Sequence, residues 1–271
     1  MEKGDNKNRF YLDKWFLDMV TEEGEAMIFY AAKLKWKGLE VPYTSWLHND
    51  PIRGVSIQSR FRKVNMPEVC GSRISWEDSR FGISGEWMSL AASIQTRVFE
   101  SEEGYLDWKC YQPKSEVTLK KKGKTLKGIG YVEQLILTTE PWKIPMDDLR
   151  WGRYGGGKDD LVWIELRGNE KQQWLWHKGE KIENAQIEDD FIEISEMNLK
   201  LKLDRGVVLE SEKKIMEVAK KLVQYLPGLN KTMPMQFLMA DEHKWLSRAV
   251  LEKEGEVHSQ GWAIHEWVKF N

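Results

Sequence analysis

The stretch Gly128-Ile129-Gly130-Tyr131-Val132-Glu133-Gln134-Leu135-Ile136-Leu137 returns near the end of the chain as Gly261-Trp262-Ala263-Ile264-His265-Glu266-Trp267-Val268-Lys269-Phe270. With the two leading glycines aligned, Tyr131 meets Ile264, Glu133 meets Glu266, Leu135 meets Val268 and Leu137 meets Phe270. The copies lie about half a chain apart, which marks an internal repeat at the scale of a domain. In a strand, alternate side chains share a face. One face of the second copy is then Trp262, Ile264, Glu266, Val268 and Phe270, and one face of the first is Tyr131, Glu133, Leu135 and Leu137. Each apolar row holds a single carboxylate. A buried carboxylate is costly unless it is neutral, paired or hydrogen-bonded. Glu133 and Glu266 are therefore the candidates for either a structural hydrogen bond or a general acid.

A chain of 271 residues accommodates one large domain or two of about 130 residues, and the repeat favours two. Lysine and arginine number 41 against 43 acidic residues, a net charge of −2, which is no footprint for nucleic acid. No stretch has the length of a membrane span, and the polar N-terminus leads into no signal-like apolar run. Cys70 and Cys110 form no disulfide framework. The expectation is a soluble, cytoplasmic protein without stable membrane insertion; oligomeric state is not readable. The 14 tryptophans are the compositional outlier. They suit thick sheet packing or a cavity for an aromatic or polyene ligand.

Alternation over residues 9–20 and 25–36, joined by Thr21-Glu22-Glu23-Gly24, predicts a β-hairpin. Further strands are predicted at 53–62, 72–76, 81–89, 92–99, 105–111 and 115–121. Pro141 and Pro145 cannot both sit inside a paired strand, so the boundary falls there, giving domains 1–144 and 145–271. The second half reopens as strand, turn, strand over 149–166. Strands near 171–177, 190–194, 199–209, 234–250 and 257–270 follow. One segment departs from this: Ile215, Val218, Ala219, Leu222, Val223 and Leu226 form a helical stripe, with Ser211 as N-cap and Pro227-Gly228 as stop. The predicted class is all-β with one late amphipathic helix near 211–226.

Gly152 to Lys158 has the G-x-x-x-x-G-K form of a phosphate loop, but Asp159 stands where a hydroxyl should follow. A hairpin turn explains it better. The five histidines show no metal-ligand spacing and no nucleophile elbow is present, so no metal and no cofactor are expected. Arg150-Trp151-Gly152-Arg153 sets two guanidinium groups beside an indole. They can hold a polar ligand group or form ion pairs.

The paired glycine–aromatic–glutamate segments resemble those of the AttH-like group related to hydroxyneurosporene synthase, a carotenoid hydratase. So do Glu140-Pro141-Trp142-Lys143-Ile144-Pro145 and Leu149-Arg150-Trp151-Gly152-Arg153. The resemblance implies two lipocalin-like β-barrels in tandem and a lipophilic small-molecule ligand. It also implies enzymes that hydrate, cyclise or isomerise polyenes or terpenoids in an aromatic-lined pocket. On that reading Glu133 or Glu266 is the acid, and Arg150 or Arg153 orients a polar end. Tyr131, Trp151 and Trp163 are walls, and His265 is a further contact that distinguishes the copies, since Val132 holds its place in the first. The alternative is a lipocalin-type carrier without catalysis.

Overall fold

The structure is a computed structural model that describes residues 10–211, 234 and 239–270. The chain divides into two compact units, one ending at Ile144 and the next beginning at Pro145. The first contains β1 (Tyr11–Val20), β2 (Ala26–Trp36), β3 (Leu39–Asp50), β4 (Gly54–Arg60) and β5 (Glu68–Cys70). It continues with β6 (Arg73–Asp78), β7 (Ile83–Ser89), β8 (Ile94–Ser101), β9 (Gly104–Lys121) and β10 (Lys124–Leu137). A single 3₁₀ turn, Pro141–Lys143, follows. The second unit contains β11 (Asp148–Gly156), β12 (Asp159–Arg167), β13 (Gln172–His177), β14 (Glu180–Ile182) and β15 (Gln186–Ile187). It ends with β16 (Phe191–Ile194), β17 (Leu199–Leu203), β18 (Val207–Ser211), β19 (Asp241–Lys253) and β20 (Glu256–Lys269).

Every pairing is antiparallel. The first sheet runs β4-β3-β2-β1-β10-β9-β7-β6-β5, with β8 also on β9; the second runs β14-β13-β12-β11-β20-β19-β17-β16-β15, with β18 also on β19. The two orders are the same with ten added to every label. The repeat seen in one pair of strands is therefore a duplication of a whole ten-stranded sheet.

Each sheet curls. Phe29 of β2 and Trp76 of β6 have ring centroids 5.1 Å apart, and Phe29 meets Trp87 of β7 edge-on at 6.1 Å. Those strands are several widths of about 4.8 Å apart along the sheet, so only a half-barrel brings the rings together. Trp15, Trp46, Trp76 and Trp87 fill its interior with Leu17, Met19 and Leu119. In the second unit Tyr154, Trp163, Leu175, Ile192, Leu201 and Leu251 do the same. The tryptophans thus serve largely as core.

Three local readings change. Strand β3 was not expected, because Pro42 interrupts its alternation. Its pairing with β4 covers only Thr44 to Asp50, so Pro42 sits where the strand is an edge and its missing N–H costs no ladder bond. The segments 105–111 and 115–121 are one strand. β9 pairs with β8 up to Cys110 and with β7 from Ser115, and Pro113 lies in the bulge where it changes partner. The segment 199–209 is two strands, parted by a turn in which Asp204 Oδ1 accepts from the Gly206 N–H at 2.9 Å. The helix expected near 211–226 lies outside the described residues except for Ser211, which closes β18; no α-helix occurs among the described residues. The Gly152–Lys158 stretch is the β11–β12 hairpin, with Gly157 in the left-handed region at φ 52°.

Candidate functional site

Glu133 lies on β10 opposite Cys110 of β9. It is 9% exposed. Trp108 Nε1 donates to its Oε2 at 2.5 Å and Tyr131 Oη donates to the same oxygen at 2.6 Å. Residues two apart on a strand share a face, which is how Tyr131 reaches it. Burial pushes the Tyr131 phenol well above its ordinary value, with Cys110 and Glu133 adding to the effect, so the phenol keeps its proton and donates.

Glu266 occupies the equivalent position on β20, opposite Lys244 of β19. The Lys244 ammonium lies 2.5 Å from Glu266 Oε2 and 3.0 Å from Glu210 Oε2. An indole N–H and a phenol thus reach the carboxylate in one unit, and an ammonium reaches it in the other.

The remaining expected residues take separate places in the second unit. Arg150 Nε meets Asp189 at 3.1 Å and its Nη1 meets Asp148 at 3.0 Å, beside the fully buried Glu165. Arg153 Nη1 donates to the Trp262 carbonyl at 3.2 Å. Trp151 is buried and in register with Glu266. Trp163 belongs to the core, and Gly152 is needed beside it because a Cβ there would overlap the indole ring.

His265 is 4% exposed, bonded through Nε2 to Ser247 Oγ at 2.8 Å and stacked on Trp245. Burial pushes its imidazole down to about 3 from an ordinary 6.5. Between those values the unfolded chain binds the extra proton, so stability rises with pH across that window. The contribution is complete above 6.5 and is lost as pH falls towards 3. Moving from pH 7 to pH 5 is expected to cost about 2 kcal/mol through this residue. His265→Gln, which keeps an acceptor for Ser247, should flatten that dependence in urea titrations at the two pH values.

None of these residues lines a cavity of about 600 Å³ at one end of the first unit's half-barrel. Its wall carries Glu25, His48 and Lys121. Glu25 follows the β1–β2 turn, where Gly24 has φ 87° and Thr21 Oγ1 accepts from the Glu25 N–H at 3.2 Å. His48 stands on β3 across from Met27, and Lys121 ends β9 at a hairpin turn through Lys122 and Gly123. His48 Nε2 lies 2.7 Å from Glu25 Oε1, and Lys121 Nζ lies 3.1 Å from His48 Nδ1. An ammonium can only donate. Nδ1 therefore accepts, and Nε2–H donates to the carboxylate. Lys121 also sits 4.2 Å above the Trp46 ring, which stacks on His48. Burial lowers the Lys121 ammonium below its ordinary value, making it a stronger acid.

The acid–histidine pair is itself duplicated. In register terms Asp159 stands where Glu25 does, and His177, opposite Leu161, stands where His48 does opposite Met27. His177 Nε2 lies 3.2 Å from Asp159 Oδ1. There Tyr154, in the place of Met19, bonds Ser259 at 3.0 Å, and His258 approaches Asp159 at 3.4 Å. In the first unit the pair borders the cavity.

No family model and no curated sequence matches the chain. Its fold matches solved structures of AttH-like, lipocalin-fold proteins. CghA aligns at a TM-score of 0.56 and 11% identity, over 97% of this chain and 89% of that one. CghA with Sch210972 aligns at 0.52 and 10%, over 97% and 89%. Kievitone hydratase from Nectria haematococca aligns at 0.52 and 10%, over 95% and 88%. At this identity the match establishes the fold.

Proposed function

We propose that this chain is an enzyme of hydratase or cyclase type acting on a lipophilic small molecule of secondary metabolism, with the first unit's cavity as the reaction chamber. The observation that carries the reading is the Glu25–His48–Lys121 chain on an aromatic-walled cavity of ligand size. A carrier needs apolar walls, whereas an ammonium held between a histidine nitrogen and an indole face suits proton transfer. The names of the fold neighbours, a hydratase and a protein solved with a bound compound, point the same way.

In this reading Lys121 is the catalytic group. Hydration of a polarised double bond requires one proton delivered to carbon and one removed from the attacking water. The ammonium delivers the first, and the resulting amine takes the second, so that H and OH are added and Lys121 is restored. Trp46 steadies positive charge that develops beside its face. His48 and Glu25 are positioning residues that hold Nζ in place. Glu133 and Glu266 are assigned to holding their sheets, through the donors described above.

The test begins with mass spectrometry of ligand retained through purification, then incubation with metabolite extract to find a consumed compound. Lys121→Gln should lower kcat by about a hundredfold to ten-thousandfold. His48→Gln should shift the pH profile of kcat and leave KM nearly unchanged. Retention of a ligand with no compound consumed would establish a carrier and overturn the enzymatic reading.

A further inference from the structure

The charges around the cavity are unbalanced. Arg53, Arg80, Lys121, Lys122 and Lys124 line it against only Glu25 and Asp50, in a chain whose net charge is −2. Both acids are engaged locally. Glu25 accepts from His48, and Asp50 Oδ1 accepts from the Ile52 and Arg53 N–H groups at 2.9 and 3.1 Å. Two of the bases are engaged as well: Lys121 with His48, and Arg80 with the Lys63 carbonyl at 2.7 Å. The side chains of Arg53, Lys122 and Lys124 make no hydrogen bond or ion pair among the described residues.

The inner wall is apolar: Trp46, Phe81 and Leu126 line it. The site therefore offers cations without an ion-pair partner and an apolar surface.

We infer that the cavity takes a small molecule with an acidic oxygen group, a carboxylate or an enolate, on an apolar body. Arg53, Lys122 and Lys124 draw in and hold the anion, and the apolar body lies against Trp46, Phe81 and Leu126. This rests on the cavity being the ligand site, as proposed above, and adds the charge of what enters it.

Two fluorescent dyes with the same rings test the charge separately from the site: anilinonaphthalene sulfonate, an anion, and phenylnaphthylamine, which lacks the sulfonate. The sulfonate should bind the full chain roughly tenfold more tightly than the neutral amine. Lys122→Glu/Lys124→Glu, at two exposed turn positions, should remove that preference and leave the amine unchanged. A control reversing Lys178 and Lys181 in the second unit should leave both dyes unchanged. Equal affinity for both dyes, or a preference that survives Lys122→Glu/Lys124→Glu, overturns the anion inference and leaves the cavity as an apolar ligand site. Binding of neither dye overturns the inference and the cavity reading together.

Discussion

Lys244→Met is expected to destabilise the second unit by about 3–5 kcal/mol, the range for removing one partner of a buried ion pair. Lys244 is 3% exposed and its ammonium is shared by Glu210 and Glu266. Methionine fills a similar volume, so little packing is lost. What remains is two carboxylates facing one another across β18, β19 and β20 with their common cation gone. Each then raises the pKa of the other in the folded state, above its value in the unfolded chain. The folded variant binds more protons, so its stability must recover as pH falls through the raised values. That sign is opposite to the one His265 imposes on the wild type, which makes the two separable. Glu210→Gln in the Lys244→Met background should recover part of the loss at neutral pH, because it removes the repulsion without restoring the cation. Urea unfolding followed by tryptophan fluorescence measures all three variants. A loss below about 1 kcal/mol would show that Lys244 is effectively solvated and that the trio is not a structural unit.

The glutamate of the repeated stretch was legible as a group needing a partner, but not which partner. Its face came from alternation within one strand, whereas Cys110 against Lys244 is a matter of what the preceding strand of the same hairpin places opposite, and both hairpins carry bulges that shift that register. The same distinction runs through the candidate site. Glu25 and His48 meet because β2 and β3 pair in a register that sets Met27 against His48, and β3 was hidden by Pro42. The duplicated pair in the second unit uses aspartate instead of glutamate and a different spacing, so no sequence echo marks it. The halves look alike where backbone approach demands one residue type and diverge where a side chain only has to supply an acid. The duplication, the all-β class and the hairpin reading of Gly152–Lys158 rest on local periodicity and glycine placement, which a single sequence carries. The cavity rests on which strand ends converge, those of β2, β3, β9 and β10 among them, and becomes visible only once registers are known.

Gly130→Ala is expected to cost the first unit about 3 kcal/mol or more, the upper range for overpacking. The reason lies in how closely β1 and β10 cross. A Cβ at Gly130 would overlap the Asp18 carbonyl oxygen and a methyl of Val117, and would press on Trp87 Nε1. The carbonyl belongs to the backbone of a central strand and cannot swing aside as a side-chain tip could. It is also the acceptor for Trp87 Nε1–H at 2.8 Å, a bond made by a fully buried indole at the centre of the core. Displacing the carbonyl would leave that donor unfilled, and the cost of an orphaned buried N–H, about 1–3 kcal/mol, adds to the overlap. Gly128 and Gly261, the residues that set the repeat in register, have the same requirement: a Cβ at either would overlap a carbonyl, that of Val20 or of Gly155. None of the three has a positive φ, so the demand is for space and not for backbone conformation. Gly261→Ala should accordingly destabilise the second unit, whereas alanine at Gly71, with open space around it, should cost only the modest strain of its φ of 59°. Denaturant unfolding of the three variants decides the point: a Gly130→Ala loss no larger than that of Gly71→Ala would mean that the strands can separate, and that the glycines of the repeat are not there for close approach.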